Sequence, residues 1–479
     1  MLSFLWLFIL GVITYFLLQR SARPITRTPL WLLWLVMMSP ALIWSIWIFI
    51  FKNNNIPLPV LIIPFLVCPI LYWWLVYIGR SRPPVSETAS SSPEEAKTPL
   101  RPIEPSEEES LRNCFSWSIF ALHHVEYRPQ AVICRGQLRT DTETAYQTIE
   151  ANVKRNFGTR FLVLFQTSSS GQPFFALVPN PYLKKTENAI KKQPLFRPAL
   201  ALSLLAITLF TTTLIGAEIA GVTDKALQAN PGLFIYGLPY SLGLILILGV
   251  HEFGHYFTAQ FYKIPTTLPY FIPFPFFLGT FGAFISMATP APNRKALFDV
   301  SIVGPIAGFL VTLPFLIWGF MHSEIVPITS KSNLLNFNSF NPHFSLLITL
   351  LCKIIFGSSL NAQSALNLHP VAIAGYLGVI ITAYNLMPVG QLDGGHIVHA
   401  MFGQQKSMII GQITRFFMLI LSFLEPGLLL WAIFLFLMPI YDEPALNDVS
   451  ELDNKREILG FIALIFLLII ILPAPKILI

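Results

Sequence analysis

The stretch Leu242-Gly-Leu-Ile-Leu-Ile-Leu-Gly-Val-His-Glu-Phe-Gly-His255 closes an apolar run, Leu233–Tyr262, that is long enough to cross a bilayer. Its last five residues hold His251, Glu252 and His255. In a helix, side chains four apart share a face, so both imidazoles can reach one metal ion while Glu252 projects beside them. A charged group at the bilayer centre costs about 2.5–3.5 kcal/mol, so three ionisable residues within five positions are expected to serve a site. The alternative is a pair of buried histidines hydrogen-bonded to neighbouring helices.

Working outward, the whole chain has the same character. Of 479 residues, 54% are hydrophobic and only 12% are charged, and mean hydropathy is +0.62. A soluble chain carries about twice that charge, so there is too little polar side chain here to coat a globule of this length. The expected fold is an α-helical polytopic membrane protein of roughly eight to ten spans with a small cytoplasmic α+β module. The net charge of +6 reads as loop charge that orients helices, and no nucleic-acid partner is expected. The lipid bilayer is itself a partner.

Composition divides the chain into five parts. Residues 1–80 are an N-terminal three-helix membrane region, with runs at Leu2–Leu18, Leu30–Phe51 and Val60–Ile78. The first run lacks a basic n-region and is expected to be a retained helix. Residues 81–110, rich in Pro, Ser and Glu, are a disordered acidic linker. Residues 111–195 hold the soluble module and a basic juxtamembrane segment, Lys184 to Arg197, suited to anionic headgroups. Gln130–Cys134, Phe161–Phe165 and Pro173–Val178 read as strands and Asp141–Phe157 as a helix. Residues 196–440 are a membrane core, with spans near Pro198–Gly216, Leu233–Tyr262, Phe298–Phe320, His369–Leu386, Ser407–Leu424 and Gly427–Ile440. Phe344–Phe356, interrupted by Lys353, reads as an interfacial or re-entrant piece. Residues 441–479 are a polar loop and a C-terminal helix near Leu459–Leu472. The four cysteines form no framework.

Basic residues sort the spans. Arg20, Arg23, Arg27, Arg80, Arg82, Lys263, Arg294 and Lys295 fall on one side. The positive-inside rule then puts linker and module in the cytoplasm or its equivalent.

Catalytic zinc keeps three protein ligands and one open position. The other ionisable site at membrane depth is Asn385-Leu-Met-Pro-Val-Gly-Gln-Leu-Asp393-Gly-Gly-His396. Unwound backbone at this depth is tolerated inside protein or beside a water-filled cavity. Topology brings His251 and Asp393 to comparable depth, which favours Asp393 as a ligand over a helix cap. Asn385, two turns earlier, either orients substrate or an oxyanion, or makes an interhelical hydrogen bond. Pro265–Pro292 could offer a strand edge at Phe281–Met287 to an unwound substrate, or could be an ordinary re-entrant loop. Gly304, Pro305 and Gly308 read as helix-packing or kink residues. His123 and His124 read as surface or packing residues, His396 as a helix-start residue or else a group behind the ligands or a conformational element, and His322, His343 and His369 as lying on the opposite side; His399 follows Asp393 by six residues.

The HExxH at His251–His255, Asn385-x-x-Pro388-x-x-x-x-Asp393-Gly394, and the run from Phe281 through Asn293-Arg-Lys-Ala-Leu-Phe-Asp to Gly304-Pro305-Ile-Ala-Gly308 resemble the site-2 protease family of intramembrane zinc metalloproteases. The resemblance covers about Pro198–Met438. Tyr127–Arg139 is similar to the cyanobacterial and plastid branch, which lacks a PDZ domain; Gln137 stands where the plant relatives have Asn. The resemblance implies one catalytic Zn2+ held by His251, His255 and Asp393, Glu252 as general base, and transmembrane protein substrates cut within or near their spanning segments. The membrane is expected to be a plasma or thylakoid-type membrane. The competing reading is a zinc-binding scaffold or chaperone-like homologue without proteolysis. A di-iron desaturase is excluded, because nine histidines supply only one clustered pair, and a transporter would need ligands on several spans.

Overall fold

In a computed structural model, the described residues are 28–51, 102–128, 130–168, 171–180, 197–274, 278–328, 336–360, 363–424 and 426–475, with single positions between 11 and 15 and between 60 and 79. The runs Leu2–Leu18 and Val60–Ile78, residues 81–101 of the linker and the basic segment from Lys184 lie largely or wholly outside them.

Residues 1–97 make one unit. Helix α1 (Leu30–Phe51) is apolar throughout despite Pro40. Leu33 is buried among Leu30, Trp34, Tyr72 and Leu75, and the Trp34 and Trp44 indoles donate to the carbonyls of Gly11 and Val60.

The second unit starts before the expected end of the linker. Ile103 is buried, a short helix α2 (Glu108–Asn113) follows, and Arg160 bonds both Glu107 and the Pro102 carbonyl. The sequence reading of 81–110 as disordered is therefore corrected for its last nine residues. One apolar anchor and one cation hold that acidic stretch on the module.

The module comprises β1 (Phe120–Arg128), β2 (Ala131–Leu138), α3 (Thr142–Phe157), β3 (Phe161–Thr167) and β4 (Pro173–Pro179). They form an antiparallel sheet of order β1-β2-β4-β3. Strand β1 was not expected, because His123 and His124 interrupt its alternation at a register shift. Asp141 caps α3 through the Thr144 N–H at 2.8 Å, and Ala145, Tyr146, Ile149 and Val153 pack its buried face. Phe165 stacks on Phe175 at 4.1 Å and Phe120 meets Phe175 edge-on at 5.0 Å. Cys114 and Cys134 are buried and free. Burial pushes the Cys134 thiol up to about 12, so it has no thiolate to offer near neutral pH.

The membrane core contains α4 (Pro198–Ile219), α5 (Asp224–Ala229), α6 (Leu238–Phe261), β5 (Tyr270–Pro273), β6 (Thr280–Phe284), α7 (Arg294–Met321), β7 (Glu324–Pro327), α8 (Leu346–Phe356), β8 (Ser364–Asn367), α9 (Pro370–Leu386), α10 (Asp393–Phe402), α11 (Gln404–Leu424), α12 (Leu429–Leu437) and α13 (Asn454–Ile471). Among the described residues, five helices are long and apolar enough to cross a membrane: α1, α4, α6 with its 3-10 lead-in, α7 and α11. The apolar α9 has 17 residues. The span expected near Gly427–Ile440 is helical over only nine residues, roughly 13 Å at 1.5 Å per residue, which is short of a bilayer core. Phe344–Phe356 is an 11-residue helix, α8, with Ile348, Thr349 and Cys352 buried.

Helices α6, α7 and α9 pack closely around the site. A β-carbon on Gly319 would strike Ala372, and one on Gly375 would strike Leu316. Small residues bring α7 and α9 into near backbone contact, the usual way helices associate where lipid gives no hydrophobic drive.

The polar end of α4 holds the hairpin β5–β6. Thr211 donates to the Gly279 carbonyl at 2.7 Å, and Tyr240 of α6 donates to the Leu278 carbonyl at 2.9 Å. Gly279 has φ +82°, and a side chain there would press on the Thr212 backbone. Only glycine fits both demands.

Candidate metal centre

Helix α6 carries His251, Glu252 and His255 on its buried face. Helix α7 lies against that face, and its Asn293 caps it through the Ala296 N–H at 2.9 Å. A β-carbon at Gly304 would overlap the His255 ring, and one at Gly308 would come within 3.0 Å of His251. These two glycines, one helical turn apart, are the floor on which the two imidazoles rest. From sequence they read as packing or kink residues; the α6–α7 contact they permit is the one that seats the histidines.

Asp393 arrives from the other direction. Helix α9 ends at Leu386, a turn through Pro388 and Gly390 (φ +54°) follows, and Asp393 is the first residue of α10. A carboxylate is favoured there by the helix dipole. The next two residues must be small, since β-carbons at Gly394 and Gly395 would collide with the carbonyls of Leu386 and Gly390. That contact folds α10 back so that Asp393 faces α6.

The three side chains converge. His251 Nε2 and His255 Nε2 are 3.1 Å apart, and Asp393 Oδ2 is 3.5 Å from the first and 3.3 Å from the second. Four ligands at about 2.0–2.1 Å in a tetrahedron stand roughly 3.3 Å apart, so the spacing fits a zinc ion bound by two imidazoles and one carboxylate. Among the described residues this is the one His/Cys/Asp/Glu group able to hold a metal. His255 Nδ1 lies 2.7 Å from the Val300 carbonyl of α7. Donation through Nδ1–H fixes the tautomer and leaves Nε2 with a lone pair for a metal. The donor chemistry and the glycine floor both suit the ion.

Around the centre, Asn385 Nδ2 sits 3.2 Å from His251 Nε2, so the structure places Asn385 beside the His251–His255–Asp393 cluster. Glu252 is buried, and the Ile285 backbone lies within hydrogen-bonding reach of its carboxylate. Ile285 directly follows β6. That strand pairs with β5 in a register of Tyr270 with Phe284 and Ile272 with Gly282, leaving its far edge without a strand partner among the described residues.

His396, half-buried, and His399, buried, both face acids from the segment after α12. His399 is fully buried and meets Asp442 through Nδ1 at 2.5 Å and Asp448 through Nε2 at 3.0 Å. His396 Nδ1 lies 2.7 Å from Asp442, off the hydrogen-bonding direction. Burial alone would raise the Asp442 carboxyl, but the two imidazoles override it and hold it down to about 2. By contrast, His322 and His369 cap the far ends of α7 and α9, and His123 and His124 are exposed on β1.

Residues 239–424 match Peptidase family M50, and residues 109–185 match the EGY3 middle domain. The chain is 28% identical over 370 residues, 75% of its length and 65% of the relative's, to a protein named probable zinc metalloprotease EGY2, chloroplastic, of Oryza sativa subsp. indica. Its Arabidopsis thaliana counterpart is 27% identical over 367 residues, covering 75% and 63%. A probable zinc metalloprotease EGY1, chloroplastic, of Arabidopsis thaliana is 34% identical over 239 residues, 49% of this chain and 43% of that one. The chain thus spans just under two thirds of the length of the first of these relatives. No solved structure matches. The membrane core carries an M50, or site-2 protease, domain.

Proposed function

We propose that this chain, with its M50 domain set in a multi-pass membrane core, is an intramembrane zinc metalloendopeptidase that hydrolyses peptide bonds of membrane proteins within or near their spanning segments. The observation that carries the reading is the convergence of His251, His255 and Asp393 at 3.1–3.5 Å with Glu252 one residue from a ligand. His251, His255 and Asp393 would hold a zinc ion, which would supply Lewis acidity and lower the pKa of water from 15.7 to about 7.

The chain's own residues do the rest. Glu252 takes the proton of the attacking water and returns it to the departing amine, a role worth about 10²–10⁴ in rate. Its buried setting next to Ile285 keeps bulk water from competing for that proton. Asn385 directs its amide toward the reacting carbonyl oxygen, where a donor stabilises developing negative charge. A substrate helix hides its peptide groups in its own hydrogen bonds, so it must unwind before cleavage. The free edge of β6, adjoining Glu252, takes the unwound segment as an added strand. Exposed Phe281 and Phe284 on that strand keep the approach apolar. By the distribution of basic loops, the module faces the cytoplasm or the stroma.

The test is reconstitution of purified protein in lipid vesicles with single-span reporters. The expected result is a cut that mass spectrometry places within or beside the hydrophobic segment, lost on chelation and restored by zinc. Protein that binds zinc but leaves a panel of such reporters intact would favour the non-proteolytic scaffold instead.

A further inference from the structure

The polar segment 442–450 joins three regions that are far apart in sequence. Its backbone lies between β3, the edge strand of the module, and the residues just before α7. Phe165 N–H donates to the Leu446 carbonyl at 2.7 Å, and Asp448 N–H donates back to the Phe165 carbonyl at 2.9 Å. On its other side Leu446 N–H bonds Ala291 O at 2.9 Å and Asn447 N–H bonds Pro292 O at 3.0 Å. Leu446 and Val449 pack against the module's apolar core. The segment therefore makes a single parallel bridge, Phe165 with Asn447, to the edge of the module's sheet and a second, Asn293 with Asn447, to the start of α7.

Its two aspartates reach the third region. Asp442 holds His396 and His399, Asp448 holds His399, and Asp448 also takes the Arg294 guanidinium at 3.1 Å. Arg294 opens α7, the helix whose glycines floor the imidazoles, and the two histidines lie on α10, whose first residue is Asp393. Asp393, His396 and His399 share ten residues of one helix, so they move together. Both ring nitrogens of His399 face carboxylates, the arrangement of a doubly protonated imidazole that cannot ligate a metal. Its part in the site is to fix the helix.

We propose that segment 442–450 is a relay: docking of the soluble module on it, through Asp442 and Asp448 to His396 and His399, sets the position of the metal-ligating Asp393, so the module governs the geometry of the metal centre without touching it. His396 and His399 are positioning residues in this scheme. The inference rests on the ligand assignment above. It gives the module a role that does not require it to bind substrate, and it makes anything that loosens the module from residues 446–449 a way to slacken the site.

The test uses the full-length protein loaded with cobalt(II), whose visible spectrum reports ligand geometry, together with zinc affinity by chelator competition. His399→Gln is expected to weaken zinc binding about 10-fold, within the range seen when groups behind metal ligands are removed, and to shift the cobalt bands. Its loss of cleavage is expected in kcat more than in KM. Val449→Asp, which contacts neither histidine, is expected to shift the bands in the same direction with a several-fold loss of affinity. If His399→Gln does not fold, Val449→Asp decides. A wild-type spectrum and affinity in Val449→Asp would overturn the relay. Wild-type protein that binds neither cobalt nor zinc would instead overturn the ligand assignment beneath it.

Discussion

The core holds two histidine pairs, and they are built in opposite ways. His251 and His255 share a single carboxylate, Asp393, and turn their Nε2 atoms toward each other at 3.1 Å. His396 and His399 meet two carboxylates, and Arg294 joins the cluster. The first pair and its carboxylate bring three donor atoms to one point, the donor set of a cation site. In the second, His399 meets both carboxylates and Asp448 also takes the Arg294 guanidinium, so cations already answer the acids. Burying ionisable groups at membrane depth is expensive in either case. What separates a ligand pair from a structural pair is whether the charges already cancel.

The contrast is broken most severely by exchanging the two pairs' fates. His255→Ala or Asp393→Ala is expected to abolish stoichiometric zinc and all cleavage, whereas His396→Gln keeps zinc with reduced affinity; metal analysis of the purified variants checks this. If His255→Ala and His396→Gln retained zinc equally, the two pairs would not differ as argued.

The floor beneath the first pair gives the next effect. Gly304→Ala puts a methyl group where the His255 ring lies, an overpacking that costs about 1–3 kcal/mol. Zinc content is expected to fall to a small fraction of wild type although no ligand has changed. Gly308→Ala, where the nearest contact is 3.0 Å, is expected to cost under about 1 kcal/mol by the same principle and to keep its zinc. Equal zinc loss in both would mean the glycines act through helix packing at large. Asn385→Ala is expected to lower kcat by about 10²-fold with zinc retained, as for loss of a single oxyanion donor. A pure interhelical role would instead show as lowered thermal stability with kcat intact.

Much of this was legible in the sequence, for identifiable reasons. The helix bearing His251 and His255 is a long apolar run with a spacing that fixes one face, and both survive any packing arrangement. Asp393 could be placed because proline and paired glycines at membrane depth announce a broken helix. The strand β1 was hidden by adjacent histidines in its middle. The nine residues from Pro102 to Ser110 look disordered by composition, yet one buried isoleucine and one arginine fold them. The partners of the second pair, Asp442 and Asp448, were not legible because they lie more than forty residues along the chain, and pairing of charges over that distance leaves no local pattern. The Val300 carbonyl that orients His255 is backbone and has no signature at all.

The central claim is that the first pair holds a hydrolytic metal served by Glu252. Its most direct test is zinc content and cleavage of a membrane-helix reporter by wild type beside Glu252→Gln. The account predicts one zinc in each protein, cleavage by the wild type, and a loss of about 10²–10⁴-fold in the variant. Equal cleavage by both proteins, or zinc in neither, would contradict it.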